Sequence, residues 1–285
     1  MKISRIGVIG AGTMGAGIAE VSLRAGCPTV VVEADDNAAQ VGRDRIAESL
    51  QRLVDRSKLS TNDADAALAN LETSSQIESV ANCDLVIEAA VEDEAIKLEL
   101  FEHIDASLGA DAILASNTSS IPIINLAMAT RRPDKVVGLH FFNPATVQPL
   151  VEIVRALTTS DETMAQIDEF ATTTLSKTTI EAPDRAGFIV NRLLIPYLLS
   201  AVRMFDDGVA TRDDIDAGMR GGCAHPMGPL ELCDLIGLDI VKAVADVLFE
   251  EFASAECISP PLLNRMVAAD RLGRKTECGF YDYNG

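Results

Sequence analysis

The chain is poor in basic side chains, and this shortage limits the partners that it can bind. Its 285 residues include 24 lysines and arginines against 43 aspartates and glutamates, which gives a formal net charge of −19. Binding to nucleic acid depends on clustered cations that neutralise backbone phosphates. We therefore expect no nucleic-acid partner.

The sequence also lacks cysteine pairs, metal-ligand clusters and long apolar runs. The six cysteines never form a Cys-x-x-Cys pair, so we expect reduced thiols, no metal site and a cytoplasmic protein. The apolar stretch 188–205 contains two arginines, an asparagine and a proline, which argues against a membrane span. Because Met1-Lys2 leads directly into the first predicted strand, we expect no signal peptide.

A glycine-rich turn near the start of the chain is the most informative motif that is present. An apolar run over 3–9 precedes it, a predicted helix over 14–25 follows it, and a second apolar run, 29–32, ends at Glu33. The turn reads Gly10-Ala11-Gly12-Thr13-Met14-Gly15. Its first glycine permits a tight turn, its second lets the backbone approach a pyrophosphate, and its third lets the helix pack against the sheet.

This turn predicts a dinucleotide site. The N-terminus of the following helix favours a diphosphate, and a carboxylate at position 33 can accept hydrogen bonds from the adenosine ribose. Because Glu33 would repel a 2′-phosphate, we expect NAD in preference to NADP. The alternative is a purely structural βαβ turn, in which Glu33 only ends a strand.

A basic helix face follows the second strand. Arg45, Arg52 and Arg56 share one face of a helix predicted over 37–57, and Lys58 comes directly after it. The face is either an ordinary solvated surface or a binding site for an anionic group such as a nucleotide phosphate. The pattern alone leaves both interpretations open.

Polar segments also follow two later predicted strands. Ser116-Asn117-Thr118-Ser119-Ser120 begins where a buried strand ends, which is where open α/β sheets bind ligands. One of these hydroxyls is expected to cap the next helix, and the others are available for chemistry.

His140 and Glu152 form a candidate acid–base pair. They lie in apolar runs over 136–142 and 150–154, which we expect to pair antiparallel through a short turn and so bring the two side chains together. A carboxylate among leucine, valine and isoleucine is costly to bury without a partner. A His–Glu pair supplies a general base near neutral pH. The alternative is a structural histidine in the core.

Taken in order, the motifs resemble those of the short-chain L-3-hydroxyacyl-CoA dehydrogenases over essentially the whole chain, most of all the bacterial 3-hydroxybutyryl-CoA dehydrogenases. The resemblance rests on the glycine turn and on the segments 116–120 (SNTSS), 138–144 (GLHFFNP), 187–192 (GFIVNR), 225–229 (HPMGP) and 279–283 (GFYDY). It implies an α/β fold with a Rossmann-type NAD-binding domain over 1–183 and a smaller all-α domain over 184–285 that mediates homodimerisation and binds substrate. The segment 182–185 independently predicts a hinge, and helices are predicted over 190–207 and 211–219.

The resemblance also implies the reaction and the residues that perform it. The reaction is reversible hydride transfer between NAD(H) and C3 of a (3S)-3-hydroxyacyl-CoA, with 3-hydroxybutyryl-CoA and acetoacetyl-CoA as the expected pair. His140 is implied as the general acid and base, Glu152 as its orienting carboxylate, and Ser119 and Asn191 as donors to the C3 oxygen. The implied cofactor contacts are Gly10, Ala11, Gly12, Thr13, Met14, Gly15, Glu33, Glu92, Lys97, Ser119, Asn143 and Lys275. The implied acyl-CoA contacts are Ser49, Arg52, Arg56, Lys58, Ser119 and Asn191.

Two other functions remain open. A dehydrogenase of a free hydroxy acid, of the gulonate or carnitine type, or of a chain held by a carrier protein would share the segments 116–120 and 138–144. The basic residues over 52–58 discriminate among these substrates, because only a substrate with a phosphorylated carrier group needs cations to bind its phosphates. The second alternative is a catalytically idle NAD-binding protein such as a lens crystallin. The presence of both His140 and Glu152 argues against it.

Overall fold

An eight-stranded sheet forms the centre of the N-terminal part of the chain. The computed structural model describes residues 2 to 284. The strands are β1 (Ile6–Ile9), β2 (Thr29–Val32), β3 (Leu71–Ser74), β4 (Leu85–Glu88), β5 (Ile113–Ser116), β6 (Val136–Phe141), β7 (Leu150–Arg155) and β8 (Thr178–Pro183). They are ordered β3-β2-β1-β4-β5-β6-β7-β8. Pairing is parallel from β3 to β6, β7 runs antiparallel to β6, and β8 is parallel to β7.

The sequence of the central strands explains their position. Every residue of β1, β2, β4 and β5 is buried, as expected for parallel strands that are covered on both faces and therefore read as short apolar runs. Successive strands run outwards from β1 in one direction and from β4 in the other. The order of the strands therefore reverses between β1 and β4, and a doubly wound sheet binds its ligand at the carboxyl ends of strands at such a point.

Between residues 2 and 184, six α-helices belong to the same unit as the sheet, and most begin at a side-chain cap. They are α1 (Thr13–Arg24), α2 (Asp36–Asp55), α3 (Thr61–Ala69), α4 (Glu94–Ser107), α5 (Ile123–Met128) and α6 (Asp161–Glu169). Asp35 accepts the backbone N–H of Ala38 at the start of α2, and Asp93 accepts that of Ile96 at the start of α4. The helices predicted over 14–25 and 37–57 are confirmed to within two residues at either end.

The C-terminal part is helical and has a core of its own. Contacts divide the chain into the units Met1–Asp184 and Arg185–Gly285. The second unit contains α7 (Val190–Asp206), α8 (Arg212–Cys223), α9 (Pro229–Ile236), α10 (Leu238–Phe252) and α11 (Pro261–Ala268). Leu198, Leu230 and Leu248 are fully buried at its centre. An α/β unit followed by a helical unit confirms the predicted fold class.

Two buried aspartates hold the last residues of the chain in this helical unit. Asp234 accepts the backbone N–H groups of Phe280 and Tyr281 at 2.9 and 2.8 Å, and Asp216 accepts the Tyr281 hydroxyl at 2.8 Å. Burial, together with Asp216, raises the pKa of Tyr281. These contacts give the 279–283 motif a structural role.

None of the helices between residues 2 and 284 has the length and hydropathy needed to cross a bilayer. All six cysteines are free thiols, and four of them are buried.

Candidate active site

The glycine-rich turn lies between β1 and α1 and is open to an approaching group. A Cβ at position 15 would lie 1.9 Å from the Gly10 carbonyl oxygen, so only glycine fits where α1 packs against the turn. A Cβ at position 12 would meet no atom within 4 Å. Gly12 is the N-cap of α1, and in the described part of the chain no side chain caps this helix end. Its N–H groups and positive dipole end therefore suit a diphosphate.

Two charged side chains contact the backbone of this turn. Glu33, directly after β2, accepts the Ala11 N–H, and Arg45 of α2 donates to the Ala11 carbonyl oxygen. The sequence placed Arg45 on one face with Arg52 and Arg56, whereas in the structure its guanidinium contacts the glycine turn. The turn and the half-buried Glu33 carboxylate fit a dinucleotide that has an unmodified adenosine ribose.

A buried ion pair lies at the carboxyl end of β4. The Lys97 Nζ of α4 lies 2.7 Å from Glu88 Oε1 and 3.1 Å from Glu92 Oε2. The side chain of Lys97 is 1% exposed, that of Glu88 is 0% exposed, and that of Glu92 is 40% exposed. Lys97 and Glu92 were both predicted as cofactor contacts, and the structure brings them together. Glu88 was not predicted.

Glu92 also holds the loop that follows β5. Its Oε1 accepts the Thr118 hydroxyl at 2.6 Å and the Ser119 N–H at 2.9 Å. Burial by itself raises the pKa of the Glu92 carboxyl, but the Lys97 charge and the hydrogen bonds from Thr118 and Ser119 outweigh it, so the net pKa lies below its ordinary value. At neutral pH Glu92 is thus an anion that anchors the serine loop, residues 116–120.

The strand pairing places His140 directly opposite Glu152. The two residues are partners in the antiparallel register of β6 and β7, and His140 Nδ1 lies 2.7 Å from Glu152 Oε2. Glu152 is 0% exposed and His140 6% exposed. A buried carboxylate on Nδ1 fixes the orientation of the ring and favours the tautomer that carries a proton on Nδ1. The contact expected from the sequence is therefore present, and its catalytic role is argued below.

One asparagine connects the serine loop to the strand that carries His140. Asn117 Oδ1 accepts the N–H of Phe141 at 2.9 Å, and the Asn117 N–H donates to the Glu88 carbonyl at 2.8 Å. The carboxyl ends of β4, β5 and β6 are therefore linked at one edge of the sheet. Asn143, a predicted cofactor contact, is exposed in the turn that follows β6.

The predicted acyl-CoA contacts lie along the C-terminal half of α2. Ser49 is half-buried, Arg52 is exposed in the last turn of the helix, and Arg56 is exposed at its C-cap. Arg52 lies 3.8 Å from Glu48, a loose surface pair that leaves its guanidinium exposed to solvent. Lys58 lines an open surface cavity of about 490 Å³ together with Ser57, Ser60 and Thr61.

The remaining predicted site residues belong to the helical unit. Asn191 is half-buried in the first turn of α7. The Lys275 Nζ lies 2.5 Å from Asp239 Oδ2 near the start of α10.

Sequence reasoning missed two residues of the first unit. Glu88 ends a buried apolar strand, the same signal that identified Glu152, but no neighbouring motif indicated its partner. Asn117 lies inside the serine motif, where only the neighbouring hydroxyl side chains were predicted to have functional roles. Both take part in hydrogen bonds at the edge of the sheet formed by the carboxyl ends of β4, β5 and β6.

A doubly wound sheet, a glycine turn after its first strand and an acid after its second define a dinucleotide-binding protein of the Rossmann class. Family models for the NAD binding domain and the C-terminal domain of 3-hydroxyacyl-CoA dehydrogenase match residues 5–185 and 187–283. The chain therefore belongs to the 3-hydroxyacyl-CoA dehydrogenase family and is an NAD-dependent oxidoreductase. The family inferred from the sequence motifs is confirmed.

Individual relatives are similar to this chain over its full length. A protein from Mycobacterium tuberculosis named 3-hydroxybutyryl-CoA dehydrogenase is 51% identical over 282 residues, which is 99% of each chain. A protein of the same name from Clostridioides difficile is 40% identical over 98% of this chain and 99% of its own. The crystal structure of (S)-3-hydroxybutyryl-CoA dehydrogenase from Ralstonia eutropha superposes with a TM-score of 0.95 at 43% identity and covers 100% of both chains.

Proposed function

We propose that this protein interconverts (3S)-3-hydroxybutyryl-CoA and acetoacetyl-CoA, using NAD(H) as the hydride carrier. The observation that carries the proposal is the buried His140–Glu152 pair at the sheet edge, which Asn117 connects to the serine loop. The names of full-length relatives at 40 to 51% identity support the choice of substrate.

His140 is assigned the proton transfer. Glu152 occupies Nδ1, so the exchange with the substrate hydroxyl is assigned to Nε2. In the oxidation direction, His140 removes the proton of the C3 hydroxyl and becomes an imidazolium, which the carboxylate at 2.7 Å stabilises. In the reduction direction, the imidazolium returns that proton to the oxygen at C3. Glu152 takes no part in the exchange of the proton with the substrate and acts by orientation and charge.

Hydrogen-bond donors balance the charge that develops on the substrate oxygen. We assign this role to the Ser119 hydroxyl and the Asn191 amide. Glu92 accepts the Ser119 N–H at 2.9 Å and so fixes the backbone of that serine before substrate arrives. Donors that are held in place in this way stabilise the transition state without needing to reorganise.

When it is bound, the cofactor would accept the hydride, which is the C3 hydrogen together with its bonding electron pair. We assign its diphosphate to the turn Gly10-Ala11-Gly12-Thr13-Met14-Gly15 and its adenosine ribose to Glu33. Glu92, Lys97, Ser119, Asn143 and Lys275 complete the proposed set of contacts. The open space above Gly12 and the uncapped start of α1 support this assignment.

The phosphorylated end of coenzyme A is assigned to the C-terminal half of α2. Ser49 and Arg52 lie in the last two turns of this helix, Arg56 is its C-cap, and Lys58 lines the open cavity of about 490 Å³ just beyond its end. In a chain of net charge −19, a local group of cations is an efficient way to attract a polyanionic substrate. This group distinguishes the proposal from an enzyme that acts on a free hydroxy acid.

We also propose a homodimer formed through the helical unit. Leu193, Val209 and Ile258 are 73, 70 and 49% exposed there, and apolar surface of this kind is typical of an interface. Analytical ultracentrifugation tests the assembly, and a monomer at micromolar concentration would contradict it. The domain boundary at 183/184 and the cytoplasmic location stay predictions.

The substrate is tested by following NADH oxidation with three compounds that share one reacting group: acetoacetyl-CoA, acetoacetyl-pantetheine and free acetoacetate. We expect rapid turnover of the CoA ester, a higher KM for the pantetheine ester and little turnover of the acid. Comparable turnover of free acetoacetate would instead identify a hydroxy acid dehydrogenase. NADH binding without turnover of any of the three would contradict the proposed enzyme.

A further inference from the structure

A buried ion pair next to the serine loop includes a carboxylate, Glu88, that the proposed chemistry does not use. Glu88 and Lys97 are almost completely removed from solvent, and their charged atoms are 2.7 Å apart. A buried ion pair seldom stabilises a fold better than a well-packed apolar pair does, because desolvation offsets the attraction. None of the roles assigned above uses Glu88. A charged pair at this buried position therefore calls for an explanation other than stability.

Glu88 is connected to the serine loop by two routes. One leads directly to Ser116, and the other leads through Lys97 and Glu92. Its Oε2 accepts the Ser116 hydroxyl at 2.6 Å, and this oxygen of Ser116 in turn accepts the Thr118 N–H at 3.1 Å. Its Oε1 holds Lys97, which holds Glu92 at 3.1 Å. Because Glu92 binds the hydroxyl of Thr118 and the N–H of Ser119, the segment 116–119 is held from two sides by connections that meet at Glu88.

The position of this network in the sheet indicates which part of the cofactor it serves. The strands β1, β2 and β3 form one mononucleotide-binding half of a Rossmann sheet, and β4, β5 and β6 form the other. Glu33 follows β2 and so belongs to the adenosine half, whereas Glu88 ends β4 in the nicotinamide half. The two halves meet closely, since a Cβ at Gly10 would lie 2.8 Å from the Ala89 carbonyl oxygen.

The charges of the network are unequal. Two carboxylates, Glu88 and Glu92, face one ammonium group, Lys97, which leaves one net negative charge at the nicotinamide half. The oxidised nicotinamide ring carries a positive charge that the reduced ring lacks. A fixed negative charge nearby therefore favours the oxidised form over the reduced form.

We propose that Glu88 is a positioning residue of the nicotinamide half-site, which acts through Lys97, Glu92 and Ser116 to hold the serine loop and to favour binding of NAD+ relative to NADH. The proposal rests on the proposed function only in taking NAD(H) as the ligand. It assigns Glu88 no contact with the reacting atoms.

The test compares nucleotide affinities, which a purely structural role would change together. The dissociation constant of NADH is measured from its fluorescence and that of NAD+ by competition, for the wild type and for Glu88→Gln. We expect the ratio of the NAD+ constant to the NADH constant to rise about fivefold, the order of magnitude of a partly screened interaction between two unit charges. Equal changes in the two constants, or no change in either, would overturn the proposal.

Three further variants complete the experiment. Asp105→Asn removes another buried carboxylate, at the opposite end of α4, where it binds Arg132 at 2.6 Å. This control is expected to lower the melting temperature without changing the nucleotide ratio, and a change equal to that of Glu88→Gln would contradict the proposal. Ser116→Ala keeps all three charges, so it should lower turnover and leave the ratio unchanged. If Glu88→Gln does not fold, Glu92→Gln removes the same unit of charge from the more exposed end and must raise the ratio.

The nucleotide affinities are measured without a thioester. A failure to turn over acetoacetyl-CoA would therefore bear on the proposed function, and an unchanged nucleotide ratio would bear on Glu88.

Discussion

Replacing Glu152 with glutamine should slow catalysis severely without disturbing the cofactor site. Glutamine keeps the volume of the side chain and an oxygen near Nδ1, but it removes the negative charge that faces the imidazolium. With about 4 Å between the charge centres and an effective dielectric constant of about 20, the lost attraction is about 4 kcal/mol. Since about 1.4 kcal/mol corresponds to a tenfold change in rate, the upper limit of the effect is roughly a thousandfold in kcat.

The assay for this variant is the steady-state oxidation of NADH by acetoacetyl-CoA, with NADH affinity measured on the same preparation. Glu152 is fully buried, so part of any loss in activity could come from the fold. Asp105→Asn is the matched control, because Asp105 is a buried carboxylate in the same unit that contacts no proposed site residue among those that the structure describes. A loss of less than about tenfold in kcat, or an equal loss in Asp105→Asn, would refute the role assigned to Glu152.

Three further predictions follow from the other parts of the site. Gly15→Ala places a Cβ 1.9 Å from the Gly10 carbonyl, so α1 must move and NADH affinity, measured by fluorescence, should fall by at least about tenfold; unchanged affinity would contradict the geometry of the turn. Arg56→Glu should raise KM for acetoacetyl-CoA but not for the pantetheine ester, and equal effects on both would remove α2 from the coenzyme A site. The lowered pKa of Glu92 adds stability above its unfolded pKa of about 4.3 that is lost as pH falls through the folded value. Urea unfolding should therefore show Glu92→Gln to be less stable than the wild type at neutral pH and equally stable in strong acid, and a constant difference would contradict this.

Features that depend on local pattern were predictable from the sequence. The glycine turn and its flanking strands form one continuous segment. The two apolar runs joined by a short turn predicted both the pairing of β6 with β7 and the partner of the Glu152 carboxylate. A helix was predicted over 211–219, and α8 begins at Arg212, directly after its N-cap Thr211. That helix continues to Cys223 rather than ending at 219, because Gly221 and Gly222 keep helical geometry until Ala224 adopts a left-handed conformation.

Features that depend on contacts between distant segments were not predictable. The Glu88 network needs the ends of β4 and β5 side by side, and it needs a lysine from the second turn of α4 to reach back to both carboxylates. No short sequence window contains all of these groups. The side chain of Arg45 illustrates the same difficulty, because helical periodicity gives the face of a residue but not the direction in which a long side chain extends.

The central claim is that His140 transfers the proton in a dehydrogenation of 3-hydroxyacyl-CoA. The most direct measurement is kcat for acetoacetyl-CoA reduction by the wild type and by His140→Ala, with NADH affinity determined on both proteins. The account predicts a loss of at least about a hundredfold in kcat, the usual contribution of a positioned acid–base group, with NADH affinity preserved. Turnover of His140→Ala near that of the wild type would contradict it.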